Sequence, residues 1–232
     1  MSRHCHGLRD GSLEFTDRGE LRLTLARDER RASSVALPRP GSGYGGHDLV
    51  VSRDERHAAL FLYSGQSEVG FELFALGAKL RRIFSLPYEL GDADPPKFSA
   101  DATWLVMLVR THGGHGWYDD SDNLFDHAAP RPAEDDPRVW RLPWAELHVV
   151  HVPTRTPSRA AITIESHAPP TRAELDATWS THGRLVAVDA DAAELLLPWH
   201  EPLRIPLPPS RWLTATHAIK TSATAITADA AR

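Results

Sequence analysis

Histidine and aspartate side chains are concentrated between residues 112 and 137. Imidazole and carboxylate groups are ligands that zinc and harder divalent cations take in proteins. The candidate metal ligands are His112, His115, Asp119, Asp122 and His127. Their spacing matches no established motif, because a calcium loop that began at Asp120 would need glycine at Phe125 and glutamate at Arg131. The alternatives for this stretch are therefore a metal site and a solvated or partner-binding loop.

Three aromatic side chains interrupt the same polar stretch, and they favour the partner-binding alternative. Trp117, Tyr118 and Phe125 stand among aspartates and glycines, and aromatic residues on a polar loop are typical anchors of protein interfaces. A long loop inside a compact β domain is usually functional or disordered. The prediction is a loop inserted at residues 112–137 that binds a protein partner.

Three weaker patterns elsewhere give little indication of a functional site. His4, Cys5 and His6 are adjacent at a chain end, where a closed tetrahedral metal site is rare. Residues 41–46 match the dinucleotide fingerprint, but a strand rather than a helix is predicted after them. Ser67 stands in a hairpin turn rather than in a nucleophile elbow. No cofactor is predicted.

Composition narrows the class of protein. The 232 residues have a net charge of −5 and a pI of about 6.2, which argues against nucleic-acid binding because phosphate recognition needs a positive surface. The single Cys5 cannot form an internal disulfide, and no apolar leader follows Met1. The longest apolar run, residues 104–109, is too short to span a membrane. We expect a cytoplasmic protein.

The elements that must position these residues are predicted to be β-strands. Short apolar runs bounded by Gly, Pro, Asp and Ser recur along the chain, and long amphipathic helical patterns are missing. Four segments share an apolar residue, then Ser or Thr, then a polar turn and a strand. They begin at Phe15, Val51, Phe98 and Trp179. In the second unit the predicted strands are residues 48–52, 57–63, 69–76 and 80–86. In the third they are residues 97–99, 104–110, 147–152 and 161–165, and in the fourth residues 175–179, 185–189, 194–197 and 203–207. A period of roughly 40–50 residues with four strands per unit is typical of propeller blades.

The turn of an apolar residue, Ser, any residue and Asp or His, together with residues 52–86, resembles blades of the TolB-like and WD-repeat β-propellers. The chain lacks the Trp-Asp pair and the Gly-His opener of WD repeats, so the TolB-like comparison is closer. The resemblance implies an all-β, β-propeller-like array of about four antiparallel four-stranded blades. We assign residues 12–210 to this array, residues 1–11 to a disordered N-terminus and residues 211–232 to an Ala/Thr-rich tail that could add a closing strand.

Two functional hypotheses follow from this reading. The first is a non-enzymatic protein-binding or scaffold module that uses the blade loops and the 112–137 insertion. The alternative is an enzyme or a metal-dependent small-molecule site at the propeller mouth, where His115, Asp119 and Asp122 would act. Four blades could also leave the array open, and its unpaired edges would then favour association with a protein partner or a second copy of the chain.

Overall fold

The computed structural model describes residues 4–16, 19–26, 32–37, 46–63, 68–110, 131–132, 136–166, 184–196, 203–209 and 212–217. Within these ranges the chain forms β-strands and no α-helix. The strands are β1 (His4–Leu8), β2 (Gly11–Phe15), β3 (Glu20–Leu25), β4 (Ser33–Ala36), β5 (Gly46–Val51), β6 (His57–Tyr63), β7 (Glu68–Ala75), β8 (Arg81–Leu90), β9 (Asp92–Ala93), β10 (Lys97–Phe98), β11 (Trp104–Arg110), β12 (Arg131–Pro132), β13 (Trp140–His151), β14 (Thr156–Ser166), β15 (Arg184–Val188), β16 (Ala192–Leu196), β17 (Leu203–Pro206) and β18 (Trp212–His217). The predicted all-β class is confirmed for this part of the chain, and none of its elements is a helix that could cross a membrane.

The strands form four sheets that follow one another along the chain. The first sheet has the order β1-β2-β3-β4, the second β5-β6-β7-β8 and the fourth β15-β16-β17. The third has the order β10-β11-β13-β14-β18, with β9 paired to β11 and β12 paired to β13. Neighbouring strands are antiparallel throughout, except that β18 runs parallel to β14. Each sheet is thus mainly an up-and-down meander.

Three apolar clusters join successive sheets. Leu13, Leu21 and Phe74 belong to the cluster between the first and second sheets, and Phe71 and Met107 to the cluster between the second and third. A third cluster, which includes residues of β13 and β16, joins the third and fourth sheets. Strand β5, which opens the second sheet, lies next to both β1 of the first sheet and β10 of the third. Among the described residues, no cluster joins the first sheet to the fourth.

The pattern of burial explains why the second sheet lies inside the array. In β6, Ala58 and Leu60 face the first sheet, whereas Ala59 and Phe61 face the third. Both sides of the strand are therefore covered, which accounts for its continuous apolar sequence. The first sheet instead buries alternate residues of β3, where Leu21 and Leu23 are covered and the residue between them is exposed.

The repeated Ser-x-Asp segments form the same turn in two sheets. In the second sheet the Ser52 hydroxyl donates to Asp54 Oδ1 at 2.6 Å, and the backbone N–H of His57 donates to Ser52 Oγ at 3.0 Å. In the third sheet the Ser99 hydroxyl donates to Asp101 Oδ1 at 2.6 Å, and the Trp104 N–H donates to Ser99 Oγ at 2.9 Å. The serine and aspartate therefore hold the hairpin that opens each sheet.

Each of these turns also needs a left-handed residue three positions after the serine. Glu55 and Ala102 both have φ of 58°, although such values are uncommon for residues other than glycine. Their amides close the turn by donating to the carbonyl oxygens of Ser52 and Ser99 at 2.9 Å. In the first sheet Gly19 occupies the corresponding place after Thr16, with φ of 76°.

The N-terminus differs from our expectation of a disordered segment at residues 1–11. Residues His4–Leu8 form β1, which pairs with β2 through the tight turn at Arg9 and Asp10. A Cβ atom on Gly11 would overlap the carbonyl oxygen of Thr24, so the close approach of β2 and β3 requires glycine there. Strand β1 has few apolar residues and is joined by backbone pairing, which leaves no periodic signal in the sequence.

The inserted loop and the tail are only partly described. Arg131–Pro132, within the predicted 112–137 insertion, pairs with β13 as β12. Strand β13 begins at Trp140 and β14 at Thr156, earlier than the predicted starts at residues 147 and 161. The predicted first strand of the fourth unit, residues 175–179, lies outside the described residues. Within the tail, Trp212–His217 forms β18.

Candidate active site

A cavity of about 260 Å³ opens between the second and third sheets. Strand β8 provides Phe84 and Leu86 on one side, and the β13–β14 hairpin provides His148, Pro157 and Arg159 on the other. The two sheets pack closely below this point, because Phe71 and Val150 are buried in their common core. The cavity is therefore a crevice at the margin of an apolar interface.

The register of β13 and β14 brings three charged or titratable side chains together beside the cavity. His148 lies opposite Arg159, and Glu146 is two residues away on the same strand. Alternate residues of a strand point to one face. Glu146 Oε2 is consequently 3.4 Å from His148 Nε2 and 3.4 Å from Arg159 Nη1. The carboxylate lies between the imidazole and the guanidinium group.

The electrostatic setting of Glu146 differs from that of a carboxylate in water. The contact with His148 lowers the pKa of Glu146, burial acts in the opposite direction, and the charge of Arg159 adds to the lowering. The net result is a pKa below the usual value for glutamate. The side chain of Glu146 is therefore ionised near neutral pH.

His148 provides the imidazole group of this cluster. Its side chain is only 5% exposed, yet it borders the cavity. Its Nε2 is within ion-pair range of Glu146 but forms no hydrogen bond of regular geometry with a described residue. A histidine oriented by a carboxylate is a common general acid or base. The arrangement can therefore move a proton to or from a molecule in the crevice.

Ser158 also borders the cavity but does not complete a nucleophilic pair with His148. Its register partner is Val149, and the side chain of Val149 packs in the core between the third and fourth sheets. Directly opposite residues of an antiparallel pair share a face, so Ser158 points away from the face that carries His148. The site thus offers acid–base chemistry rather than a Ser–His nucleophile.

The site residues predicted from the sequence do not enter this cluster. His112, His115, Asp119, Asp122 and His127 all lie outside the described residues, as do Trp117, Tyr118 and Phe125. Within the described ranges, no three His, Cys, Asp or Glu side chains are grouped in a way that could hold a metal ion. The metal and partner-binding assignments of the insertion stay predictions.

Sequence reasoning missed Glu146 and His148 because His148 was one histidine among 13. The signal that could have found them is their spacing of two residues on an apolar strand. Such spacing places both side chains on one face of the sheet. The contribution of Arg159 could not have been found this way, since it depends on the register between β13 and β14.

Comparisons with known proteins give only distant likenesses. No family model matches the sequence, and no curated protein matches it. A solved structure described as "a putative 6-phosphogluconolactonase" from Bacteroides fragilis NCTC 9343 has 13% identity and a TM-score of 0.38, over 89% of this chain and 54% of that one. The tricorn protease has 13% identity and a TM-score of 0.35, over 85% of this chain and 24% of that one. The chain spans about half the length of the first and a quarter of the second.

These comparisons correct our expectation of a non-enzymatic protein-binding module. The first of the two structures carries the name of an enzyme, and this finding contradicts the scaffold hypothesis. Likenesses of this strength carry no information about substrate or catalytic residues. The geometry of the site is the basis for inferring the substrate and the catalytic residues.

Proposed function

We propose that this protein is an enzyme that acts on a small anionic molecule by general acid–base catalysis in the crevice between the second and third sheets. The observation that carries the proposal is the position of His148, which is almost fully buried, borders a cavity and is 3.4 Å from the carboxylate of Glu146. A buried titratable pair beside a cavity is the usual form of an acid–base site.

Each side chain of the cluster has a distinct role in this proposal. His148 transfers the proton, and Glu146 orients its imidazole ring. Arg159, whose side chain is 58% exposed, attracts a carboxylate or phosphate group of the substrate, because a guanidinium group suits such anions. Phe84 and Leu86 cover the reacting part of the molecule and limit the access of water.

We also propose that the four sheets are blades of a β-propeller-like array of the TolB-like kind. In support, β5 is a neighbour of both β1 and β10, and each of the first three sheets continues from these strands as a meander. The apolar clusters between successive sheets have the position of inter-blade cores. A crevice between two blades would then hold the active site.

Binding of inorganic phosphate, followed by NMR of the histidine side chains, tests the anion-binding part of the proposal. We expect the His148 resonances to shift and saturate with phosphate, and Arg159→Gln to abolish that response. Arg155→Gln is the matched control, because Arg155 is an exposed arginine in the turn of the same hairpin. Equal phosphate responses in the two variants would show that Arg159 does not bind the anion.

Turnover of small carboxylated and phosphorylated esters and lactones tests the catalytic part. Loss of a general acid or base typically costs 10²–10⁴-fold in rate, so we expect His148→Gln to lower kcat by at least about 100-fold. His151→Gln, on the opposite face of the same strand, should retain activity. The absence of turnover across the whole panel, or equal rates in both variants, would contradict the assignment of an enzyme to this crevice.

A further inference from the structure

A second and larger cavity, of about 390 Å³, lies between the first and second sheets. It opens beside the β1–β2 and β5–β6 hairpins. Its floor is made of four leucine side chains, namely Leu8, Leu23, Leu25 and Leu76. They also border or belong to the apolar core between these two sheets. An apolar surface of this kind favours a ligand with an apolar body.

The rim of this cavity is acidic. Asp10, Asp54 and Glu55 line it together with one arginine, Arg9. The backbone N–H of Arg9 donates to Glu55 Oε2 at 2.8 Å, and the side-chain Nε of Arg9 is 3.4 Å from Glu55 Oε1. The arginine therefore offsets the charge of Glu55, while Asp10 and Asp54 add two further carboxylates to the rim.

Asp54 is held in place and kept ionised by its own turn. Its Oδ1 accepts hydrogen bonds from the Ser52 hydroxyl at 2.6 Å and the Arg56 N–H at 3.0 Å. Burial raises the pKa of Asp54, but these hydrogen bonds and the nearby charges of His57 and Arg56 outweigh it, so that the pKa lies below the usual value. A fixed negative charge thus stands at the edge of an apolar cavity.

We propose that this crevice binds a monovalent organic cation with an apolar body, such as an arylalkyl ammonium ion. The apolar part packs on the leucine floor, and the ammonium group lies between Asp10 and Asp54. The volume is within the range of small-molecule sites, about 300–1,000 Å³. The sign of the charge distinguishes this ligand from the anion expected between the second and third sheets.

The experiment uses the full chain with 2-phenylethylammonium as the probe and 2-phenylethanol as its uncharged counterpart. Backbone amide NMR titrations report on Asp10 and Glu55, which flank the cavity from the two sheets. We expect saturable shifts at both positions with the cation. The alcohol should bind about threefold more weakly, because an ion pair at a partly exposed site changes affinity by at most about fivefold.

Two variants with matched controls test the role of the carboxylates. Asp10→Asn should weaken the cation at least about twofold, whereas Glu14→Gln, on the outer face of the first sheet, should not. Asp54→Asn should also weaken it. Its control is Asp101→Asn, which makes the same change in the equivalent turn of the third sheet, away from this cavity, and should leave binding of the cation unchanged.

Three results would overturn this proposal. They are no shift at Asp10 and Glu55 with the cation, equal affinity for the alcohol, and equal effects of Asp10→Asn and Glu14→Gln. Phosphate binding at His148 is measured independently and involves the other face of the second sheet. The failure of either proposal is therefore distinguishable from the failure of the other.

Discussion

The two faces of the second sheet both bury an apolar core, but they differ in how an acidic side chain is accommodated beside it. On the side of the first sheet, Glu72 is only 5% exposed and lies opposite Leu60 of the neighbouring strand. Ser85 donates a hydrogen bond to its Oε1 at 2.8 Å, and Arg82 is 3.7 Å away. On the side of the third sheet, Glu146 contacts both His148 and Arg159.

The pKa values of these two glutamates move in opposite directions. Burial raises the pKa of Glu72, and the hydrogen bond from Ser85 and the charge of Arg82 do not compensate. Contact with His148 lowers the pKa of Glu146 more than burial raises it. Burial alone therefore raises the pKa of a carboxylate and disfavours its charged form. A close cationic or titratable partner decides whether its charge is stabilised.

The largest expected effects come from the two cores. Phe71 and Phe74 are both fully buried on β7, but Phe71 faces the third sheet and Phe74 the first. Replacement of either by Ala should lower the free energy of unfolding by about 3–5 kcal/mol, through lost burial and the cavity left behind. Urea denaturation measures both.

Phosphate binding should distinguish Phe71→Ala from Phe74→Ala. The ring of Phe71 is 5.9 Å from that of Phe84, which lines the cavity of the proposed active site. Only Phe71→Ala should therefore weaken the response of His148 to phosphate. An equal loss in Phe74→Ala, under conditions where both variants are folded, would show that the two faces are not independent.

Two glycines provide the next comparison. A Cβ atom on Gly91, where the chain passes from the second sheet to the third, would lie 2.5 Å from Val109 Cγ1 and 2.6 Å from the Arg110 carbonyl oxygen. Gly91→Ala should cost about 1–3 kcal/mol of unfolding free energy, as overpacking usually does. Gly77, at the cavity beside the first sheet, has nothing within 4 Å of such an atom. Gly77→Ala should stay within about 0.5 kcal/mol of the wild type by thermal unfolding.

Replacement of each glutamate by glutamine should change stability at pH 7 with opposite signs. Glu72→Gln should stabilise the protein and Glu146→Gln should destabilise it, each by about 1 kcal/mol or less. The raised pKa of Glu72 means that stability is lost as pH rises from its unfolded value near 4.5 through the folded value. The lowered pKa of Glu146 means that stability is present above 4.5 and is lost as pH falls through the folded value.

Melting temperatures between about pH 3 and pH 7 measure this difference. The Glu72→Gln and wild-type proteins should become more alike towards acid pH, where Glu72 is protonated. The melting temperatures of the Glu146→Gln and wild-type proteins should also converge at acid pH, but here the variant is the less stable of the two at pH 7. Two shifts of the same sign at pH 7 would contradict the contrast between the two faces.

The smallest expected effects concern the left-handed residues of the repeated turn. Ala102→Gly should raise the free energy of unfolding by about 0.5 kcal/mol, because glycine adopts a positive φ without strain and this gain exceeds its entropic cost. Glu55→Gly should show no gain, since it also removes the contacts of Glu55 with Arg9 of the first sheet. A clear stabilisation by Glu55→Gly in chemical denaturation would show that those contacts contribute nothing.

The strands of the second sheet could be predicted from the sequence to within a few residues. Residues 57–63 coincide with β6, and the predicted strand at residues 69–76 overlaps β7 almost fully. The Ser-x-Asp turns also occur where the repeat placed them. Strand β1 was not predicted, because its pairing with β2 leaves most of its side chains exposed. Exposed positions tolerate many residue types and so carry no hydrophobic pattern.

The two crevices could not be predicted in the same way. Asp10 and Asp54 belong to different sheets, and they line one cavity only because the β1–β2 and β5–β6 hairpins lie side by side. Phe84 likewise reaches the wall opposite His148 only through the packing of β8 against the third sheet. Neither juxtaposition has a local sequence pattern.

The amino-acid sequence alone is enough to derive the all-β class, the turns that open the second and third sheets, and the alternation that separates buried from exposed side chains. These properties depend on residues that are near one another along the chain, so local periodicity and turn chemistry suffice to specify them. The choice of the histidine that meets a carboxylate and an arginine beside a cavity is made instead by the packing of the folded chain. That outcome depends on strand register and on the packing of one sheet against another, which are set by contacts between residues far apart in the chain.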